Sequence, residues 1–267
     1  MSRIAILGAG VMGGALLSAL LRSGQPAEEI VISERMGLAA RETAEQYAVR
    51  SAPVAEAVAG ADIVVLAVKP QDMSGLLAEI HEKVGPDTLV ISVAAGISTE
   101  YLEDRLPANT GVVRVMPNTP AQVDQGMSVL SPGRHCTSEH LAEAEHLLET
   151  FGRVLTLDEK HQHAATAISG SGPAYIFYVT EAMIEAGVLL GLPRTTATEM
   201  VVQTLYGAAT MIRQTGEHPS ILREQVSSPG GTSVAALREL EDHKVRAAFL
   251  TAIEAAARRS RELSPGD

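Results

Sequence analysis

The sequence predicts an α/β fold with two parts, a doubly wound parallel sheet followed by an all-α C-terminal domain. A short apolar run at residues 4–7 leads into a glycine-rich turn, and a helical pattern follows it. Short apolar runs then alternate with helical segments as far as residue 157, which is typical of a parallel sheet. From residue 159 onward only helical patterns remain. We therefore expect a dinucleotide-binding, Rossmann-type domain over 1–160 and an all-helical domain over 161–267.

The glycine-rich turn predicts a dinucleotide-binding site. Gly8 allows the tight turn, and Gly10 lets backbone N–H groups approach a pyrophosphate. Gly13 lets the following helix pack closely on the first strand, while the N-terminus of that helix faces the phosphate charge. The candidate cofactor-binding residues of this turn are Gly8, Ala9, Gly10, Val11, Met12 and Gly13.

The end of the second strand bears on the choice between NAD and NADP. A strand is predicted over Ile30–Ser33, and Ser33-Glu34-Arg35 closes it. An acidic residue here favours a free ribose 2′-hydroxyl, whereas arginine favours a 2′-phosphate. Our hypothesis is that Ser33 and Arg35 bind the phosphate with Glu34 turned outward, so that NADP(H) is preferred and NAD(H) is possible. A solvated loop without a binding role is the alternative.

Four loops are predicted to meet at one edge of the sheet. Further strands are expected over residues 63–68, 89–93 and 112–116, and two more could lie at 127–130 and 154–157. Ligands of such sheets bind beyond the carboxyl ends of the strands. The loops there are small and poor in charge, so a flat cofactor could lie close to the backbone, and Asn118 offers an amide. Besides the glycine turn, the candidate cofactor residues are Ala67, Val68, Lys69, Pro70, Ala94, Ala95, Gly96 and Asn118.

Composition restricts the class of protein. The formal net charge of −11 argues against nucleic acid or an anionic membrane surface as a partner. A single cysteine, Cys136, excludes an intrachain disulfide and fits a reducing cytosol. The chain begins directly with a strand pattern and shows no evident signal peptide, so a cytoplasmic protein is expected. The apolar run 174–192 is interrupted by Glu181 and Glu185, which favours a buried helix over a membrane span.

The helical half is too apolar for one copy of the chain to cover. Helices are predicted over 159–167, 174–190, 195–214, 220–226, 234–241 and 245–263. The helix over 174–190 carries more apolar surface than one helical face accounts for. A second copy is the simplest cover, so we expect a homodimer with interlocked helical domains, or a higher homo-oligomer.

Two glycine-serine segments could bind a small anion. They are residues 169–173 and residues 227–233, and each precedes a predicted helix. Backbone N–H groups and hydroxyls at a helix N-terminus suit a carboxylate without any basic side chain. Helix capping is the alternative, although it would not by itself account for seven small residues in the second segment.

Other chemistry finds little support in the sequence. His161 and His163 form an HxH pair without further ligands at suitable spacing, so surface histidines are expected and no metal site is predicted. Cys136 has no evident nucleophile context, and Lys69 is better placed to contact or cover the cofactor than to catalyse. These observations favour hydride transfer, in which the cofactor carries the chemistry and the protein aligns it.

The same motifs give the chain a resemblance to the pyrroline-5-carboxylate reductase family over nearly its whole length. The resemblance implies NAD(P)H-dependent reduction of the cyclic imine 1-pyrroline-5-carboxylate to L-proline, the last step of proline biosynthesis. It also implies a helical substrate-binding and dimerisation domain, with an active site between one subunit's dinucleotide domain and the helical domains of the dimer. The motifs that carry it are residues 8–13, 67–70, 94–96, 116–120, 169–175 and 226–237.

The resemblance also implies a substrate-binding loop. Its members are Ser228, Gly230, Gly231, Thr232 and Ser233, with Ser233 and Thr232 as the catalytic candidates. The family usually has threonine where this chain has Ser233, and many members have asparagine near the adenosine where Val54 stands. Serine keeps the hydroxyl but loses the methyl group that restricts its rotamer.

Three other functions remain open at this point. They are reduction of another cyclic imine, a 3-hydroxyacid dehydrogenase of related fold, and a non-catalytic dinucleotide sensor. A hydroxyacid dehydrogenase needs a proton acceptor, usually lysine, and the helix over 174–190 contains none. A sensor would have no need of the loop 227–233. A cyclic imine readily carries its own proton, so alignment of donor and acceptor could supply most of the catalysis.

Overall fold

A computed structural model describes residues 2–34 and 37–264, with only the backbone described for residues 37–41. The chain divides into two compact units. Met1–Ser171 together with Ala256–Asp267 forms the sheet unit, and Gly172–Ala255 forms the helical unit. The predicted boundary near residue 160 divides the chain by function, into a cofactor-binding part and a part for substrate binding and dimerisation. That division stays a prediction.

The sheet unit is built on a mostly parallel sheet of eight strands within the described residues. Their order is β3-β2-β1-β4-β5-β6-β7-β8, and every neighbouring pair is parallel except β6 and β7. The predicted doubly wound sheet is confirmed, whereas the reversed direction of β7 was not predicted. The strands are β1 Ile4–Leu7, β2 Ile30–Ser33, β3 Arg50–Ser51, β4 Ile63–Leu66, β5 Leu89–Ser92, β6 Gly111–Met116, β7 Gly126–Pro132 and β8 Gly152–Thr156.

Strands β1, β2, β4 and β5 are buried on both faces, which explains why they are apolar throughout except for the serine that ends β2 and the one that ends β5. Alternate residues of β1 point to opposite sides of the sheet. Ile4 and Ile6 join one apolar cluster, and Ala5 and Leu7 join the other. Both strands beside β1 are parallel to it and in matching register, so the carboxyl ends of all three strands lie together.

Helices cover both faces of the sheet. The first, α1 (Val11–Arg22), is followed by Gly24 with a φ of 96°, and the Gln25 N–H donates to Leu20 O at 3.0 Å, which forms a left-handed cap. The Ser98 hydroxyl accepts from the Tyr101 N–H at 3.1 Å and caps α5 (Thr99–Glu103). The helices are α1 Val11–Arg22, α2 Gly37–Tyr47, α3 Val54–Val58, α4 Met73–Ile80, α5 Thr99–Glu103, α6 Ser138–Glu149 and α7 Gln162–Ala165.

The helical unit has almost no core of its own. Its helices α8, α10, α11 and α12 contain no buried residue, and α9 buries only Ala197 and Val201. Large apolar side chains such as Phe177, Tyr178 and Leu189 are exposed instead. This surface is what the sequence predicted for helices that need a second copy as cover. The helices are α8 Gly172–Leu189, α9 Arg194–Thr215, α10 Pro219–Gln225, α11 Thr232–Asp242 and α12 Val245–Glu262, of which the residues from Ala256 onward belong to the sheet unit.

The first glycine-serine segment is a helical junction. Thr166–Gly170 forms a π-helical turn between α7 and α8, and the Ser171 N–H donates to Thr166 O at 2.8 Å. The Ser169 hydroxyl donates to Ala165 O at 2.9 Å. The prediction of a loop here was wrong, because these polar groups are used by the helical turn itself.

Candidate functional site

Gly8 and Gly13 occupy positions where no larger residue fits. Gly8 has a φ of 101°, and a Cβ on it would lie 2.7 Å from Ala67 O. A Cβ on Gly13 would overlap Gly8 O and lie 3.3 Å from the Ala67 Cβ. Gly10 has no neighbouring atom within 4 Å of where a Cβ would be, so its surface is open. The predicted roles in the turn, in close helix packing and in ligand approach agree with this geometry.

The glycine loop, residues 8–13, is held by backbone hydrogen bonds that leave the end of α1 open. The Gly8 N–H donates to Ser33 O at 2.8 Å, and the Ala67 N–H donates to Leu7 O at 2.8 Å. Gly10 is the N-cap of α1 and supplies no side-chain cap. The N–H groups of the first helical turn therefore have no intrahelical acceptor, and their dipole favours an anion. This arrangement fits the pyrophosphate of a dinucleotide.

Glu34 faces the glycine loop, so the prediction that it turns outward was wrong. Its carboxylate accepts from the Ala9 N–H at 2.9 Å, at the positive end of α1, which attracts a negative group. Ser33 is only 6% exposed, and Arg35 lies outside the described residues. The roles of Ser33 and Arg35 at a 2′-phosphate stay predictions. The signal for the contact between Glu34 and Ala9 was available in the sequence, because Glu34 is an acidic residue directly after β2.

An open cleft of about 480 Å³ adjoins the glycine loop. Ala9, Gly10 and Val11 line one end, and Thr43 and Tyr47 of α2 contribute to its wall. Val11 is 70% exposed, which is unusual for a valine beside a buried strand. The glycine loop therefore borders free space that a ligand could enter.

The other predicted cofactor loops lie at the same sheet edge. Residues 67–70 follow β4 and residues 94–96 follow β5. Lys69 is exposed and forms no ion pair within the described residues. Asn118 is already engaged, since its amide donates to Ser169 O at 3.1 Å and accepts from the Met127 N–H at 2.8 Å. One amide hydrogen of Asn118 therefore remains available to a ligand. The cofactor contacts of residues 67–70, of residues 94–96 and of Asn118 stay predictions.

In the helical unit, the predicted substrate loop forms a turn that ends at the N-terminus of α11. The Gly231 N–H donates to Ser228 O at 2.9 Å, and Gly230 has a φ of 68°. Gly231 is the N-cap of α11 without a side-chain cap, so the N–H groups of Thr232 and Ser233 have no intrahelical acceptor. The turn uses the Gly231 N–H, so the N–H groups of Thr232 and Ser233 are better placed to meet a ligand. The assignments of all five residues of this loop stay predictions.

The histidines and the cysteine were the other candidates for chemistry in the sequence. No group of three potential metal ligands occurs among the described residues. His161 is exposed as predicted, whereas His163 is half-buried with its Nδ1 3.0 Å from the Ser260 hydroxyl. Burial, and secondarily the charge of Glu103, raises the pKa of the Cys136 thiol to about 11, so the reactive thiolate is scarce at neutral pH.

The fold and this site define a Rossmann-type dinucleotide-binding protein with an added helical unit. None of the described helices is both long and apolar enough to span a bilayer. The family model for pyrroline-5-carboxylate reductase dimerisation matches residues 159–263. The model for NADP oxidoreductases, coenzyme F420-dependent, matches residues 3–96.

Known proteins of similar sequence and structure agree with both matches. The pyrroline-5-carboxylate reductase of Corynebacterium melassecola is 45% identical, and the match covers 98% of this chain and 99% of that protein. The solved pyrroline-5-carboxylate reductase of Coxiella burnetii has a TM-score of 0.92 at 34% identity, covering 98% of both chains. That of Plasmodium falciparum, solved with NADP bound, has a TM-score of 0.89 at 28% identity, covering 98% of this chain and 97% of that one. The chain belongs to the pyrroline-5-carboxylate reductase family.

Proposed function

We propose that this protein reduces 1-pyrroline-5-carboxylate to L-proline with NAD(P)H, the last step of proline biosynthesis. The observation that carries the proposal is the match to named reductases over 98% of the chain, with the glycine loop and the loop 227–233 both intact. In the reaction, a hydride adds to the imine carbon of the N-protonated substrate, and the electron pair of the C=N π bond moves to the nitrogen. The ring nitrogen retains the proton that it already carried and becomes the secondary amine of proline.

The residues of the sheet unit fit the cofactor. The open N-terminus of α1 binds the pyrophosphate, and the Gly10 surface leaves room for its close approach. When bound, NAD(P)H supplies the hydride. NADP(H) is preferred, which the NADP-bound relative and the match to an NADP oxidoreductase model support. NAD(H) is possible, since Glu34 places a carboxylate beside the adenosine end of the site.

Residues 228–233 bind the substrate. The N–H groups of Thr232 and Ser233 hold the carboxylate, because they lie at the positive end of the eleven-residue helix α11. The Ser233 hydroxyl approaches the ring nitrogen and orients the imine. No lysine occurs in α8, which disfavours a hydroxyacid dehydrogenase that would need a proton acceptor there. Catalysis then comes mostly from the alignment of donor and acceptor.

The protein works as a homodimer, or a higher homo-oligomer, in the cytoplasm. The match of residues 159–263 to a dimerisation model and the exposed apolar helices support the homodimer. The single cysteine and the protonated state of its thiol are compatible with a reducing compartment.

The function is tested by following cofactor oxidation in purified protein supplied with pyrroline-5-carboxylate. We expect saturable turnover with NADPH, and a kcat/KM for NADPH about tenfold or more above that for NADH, as a lost charged hydrogen bond would give. A six-membered cyclic imino acid and a 3-hydroxyacid with NADP⁺ serve as rival substrates. Faster turnover of either rival, or none with any substrate, would overturn the proposal.

Replacing Ser233 with alanine is expected to lower kcat/KM for pyrroline-5-carboxylate by about tenfold or more, since a hydroxyl hydrogen bond to a charged ligand is lost. The dissociation constant of NADPH, measured by calorimetry, should stay unchanged. Ser233→Thr should retain most activity. Ser227→Ala is the control, because the Ser227 hydroxyl already donates to Arg223 O at 2.6 Å. Equal activity of Ser233→Ala and wild type would remove Ser233 from the site.

A further inference from the structure

A partly buried carboxylate gathers three hydrogen bonds next to the loop 94–96. Glu159 accepts from the Thr99 backbone N–H at 2.8 Å and from the Thr99 hydroxyl at 2.5 Å. It also accepts from the Arg114 guanidinium at 3.0 Å. Arg114 is only 5% exposed and lies in β6 between the buried Val113 and Val115. The network thus joins β6, the start of α5 and the segment that leads into α7.

This network fixes the stem of the loop 94–96. Thr99 is the first residue of α5 and follows Gly96 by three positions. Between them, Ile97 is fully buried and the Ser98 hydroxyl caps α5. The two residues that connect Thr99 to the loop are therefore both held in place. A displacement of Thr99 would therefore move the loop.

Gly96 itself is restricted as well. It has a φ of 77°, and a Cβ on it would lie 3.2 Å from Leu263 O and 3.3 Å from the Ser264 hydroxyl. The two residues that follow α12 thus pack against the loop within the sheet unit. The loop is therefore held at Gly96 by this contact and at Thr99, three residues further on, by Glu159.

A partly buried ion pair such as Arg114–Glu159 adds little net stability compared with well-packed apolar residues. It forms, however, only when the two side chains are held in one arrangement. Its three donors converge on a single carboxylate, so each holds the others in place. We propose that Glu159 is a positioning residue for the loop 94–96, and through it for the nicotinamide half of the cofactor. This inference rests on the proposed function, because the loop borders the nicotinamide only if a dinucleotide binds at this sheet edge.

The test variant is Glu159→Gln, which keeps the shape of the side chain. The amide oxygen can replace Oε1, which accepts from the Thr99 N–H and from Arg114. The NH₂ group in place of Oε2 cannot accept from the Thr99 hydroxyl, and the negative charge that pairs with Arg114 is lost. Calorimetry should show about fivefold weaker NADPH binding and unchanged binding of 2′,5′-ADP, which lacks the nicotinamide half. Single-turnover hydride transfer should be about tenfold slower, with a larger primary deuterium isotope effect.

Glu103→Gln is the matched control. Glu103 is a carboxylate at the other end of α5, and it pairs with the Arg134 guanidinium at 2.8 Å. This control should bind NADPH and 2′,5′-ADP as the wild type does. Two milder variants keep the test valid if Glu159→Gln folds poorly. Thr99→Val should weaken NADPH binding in the same direction by a smaller factor, and Thr99→Ser, which retains the hydroxyl, should restore it.

The outcomes separate this inference from the proposed function. Equal weakening of NADPH and 2′,5′-ADP binding would show a general structural role and overturn the positioning role, as would no change in either. The binding experiments need no substrate. If the wild type does not reduce pyrroline-5-carboxylate but Glu159→Gln still weakens only NADPH, the proposed function fails and the positioning role stands.

Discussion

Replacing Gly13 with alanine is expected to abolish cofactor binding, with a dissociation constant for NADPH at least about 100-fold higher than in the wild type. The new Cβ would overlap Gly8 O and press on Ala67, so α1 must move away from β1. That movement displaces the N–H groups that face the pyrophosphate. Overpacking of this kind also lowers the free energy of unfolding by about 1–3 kcal/mol. Calorimetric titration with NADPH and urea unfolding measure the two effects.

Gly14→Ala is the control for this prediction. Gly14 is the next residue of α1, and a Cβ there would lie 3.5 Å from Ala9 O, an ordinary van der Waals distance. Alanine also favours the helical backbone by about 0.5–1 kcal/mol over glycine. Gly14→Ala should therefore bind NADPH nearly normally and be no less stable than the wild type. If both variants bound NADPH equally well, the packing role of Gly13 would be refuted.

Replacing Phe177 with lysine is expected to dissociate the homodimer, raising its dissociation constant by about 100-fold or more. Phe177 lies in α8 and is 66% exposed in one copy of the chain. Burial of a phenylalanine contributes about 1.5–3 kcal/mol, and an unpaired charge in its place adds a desolvation cost. Because the helical unit has almost no core of its own, the separated chains should also lose helical circular dichroism.

Light scattering coupled to size-exclusion chromatography measures the dissociation of Phe177→Lys. Glu149→Lys places the same side chain on the exposed face of α6 in the sheet unit, with an even larger change in charge, and should leave the dimer intact. A Phe177→Lys protein that remained a dimer at the same concentrations would show that this face of α8 is not covered by a second copy.

Local sequence patterns predicted most of the sheet unit. Residues 4–7, 30–32 and 63–66 are continuous apolar runs because both faces of their strands are buried, and such runs are visible in the sequence. The glycine spacing predicted the turn after β1, since only glycine fits at Gly8 and Gly13. These features depend on neighbouring residues, which is why sequence alone was sufficient for them.

Features that depend on distant partners were not predictable. The reversed β7 is determined by its pairing with β6, and no residue of β7 by itself signals the direction of the strand. Glu34 turns inward because the Ala9 N–H, twenty-five positions earlier in the chain, donates to its carboxylate. The same holds for Glu159 and Thr99, which are sixty positions apart. The π-helical junction at Thr166–Gly170 escaped prediction because its serines and glycines are equally typical of a loop.

The most direct measurement of the central claim traces the hydride. The full-length protein is incubated with pyrroline-5-carboxylate and NADPH carrying deuterium at nicotinamide C4, in separate experiments for the two faces. We expect L-proline with one deuterium on Cδ, the ring carbon that was the imine carbon of the substrate. NMR and mass spectrometry should detect it with only one of the two labelled cofactors. Proline without deuterium from either cofactor, or no proline at all, would contradict the account.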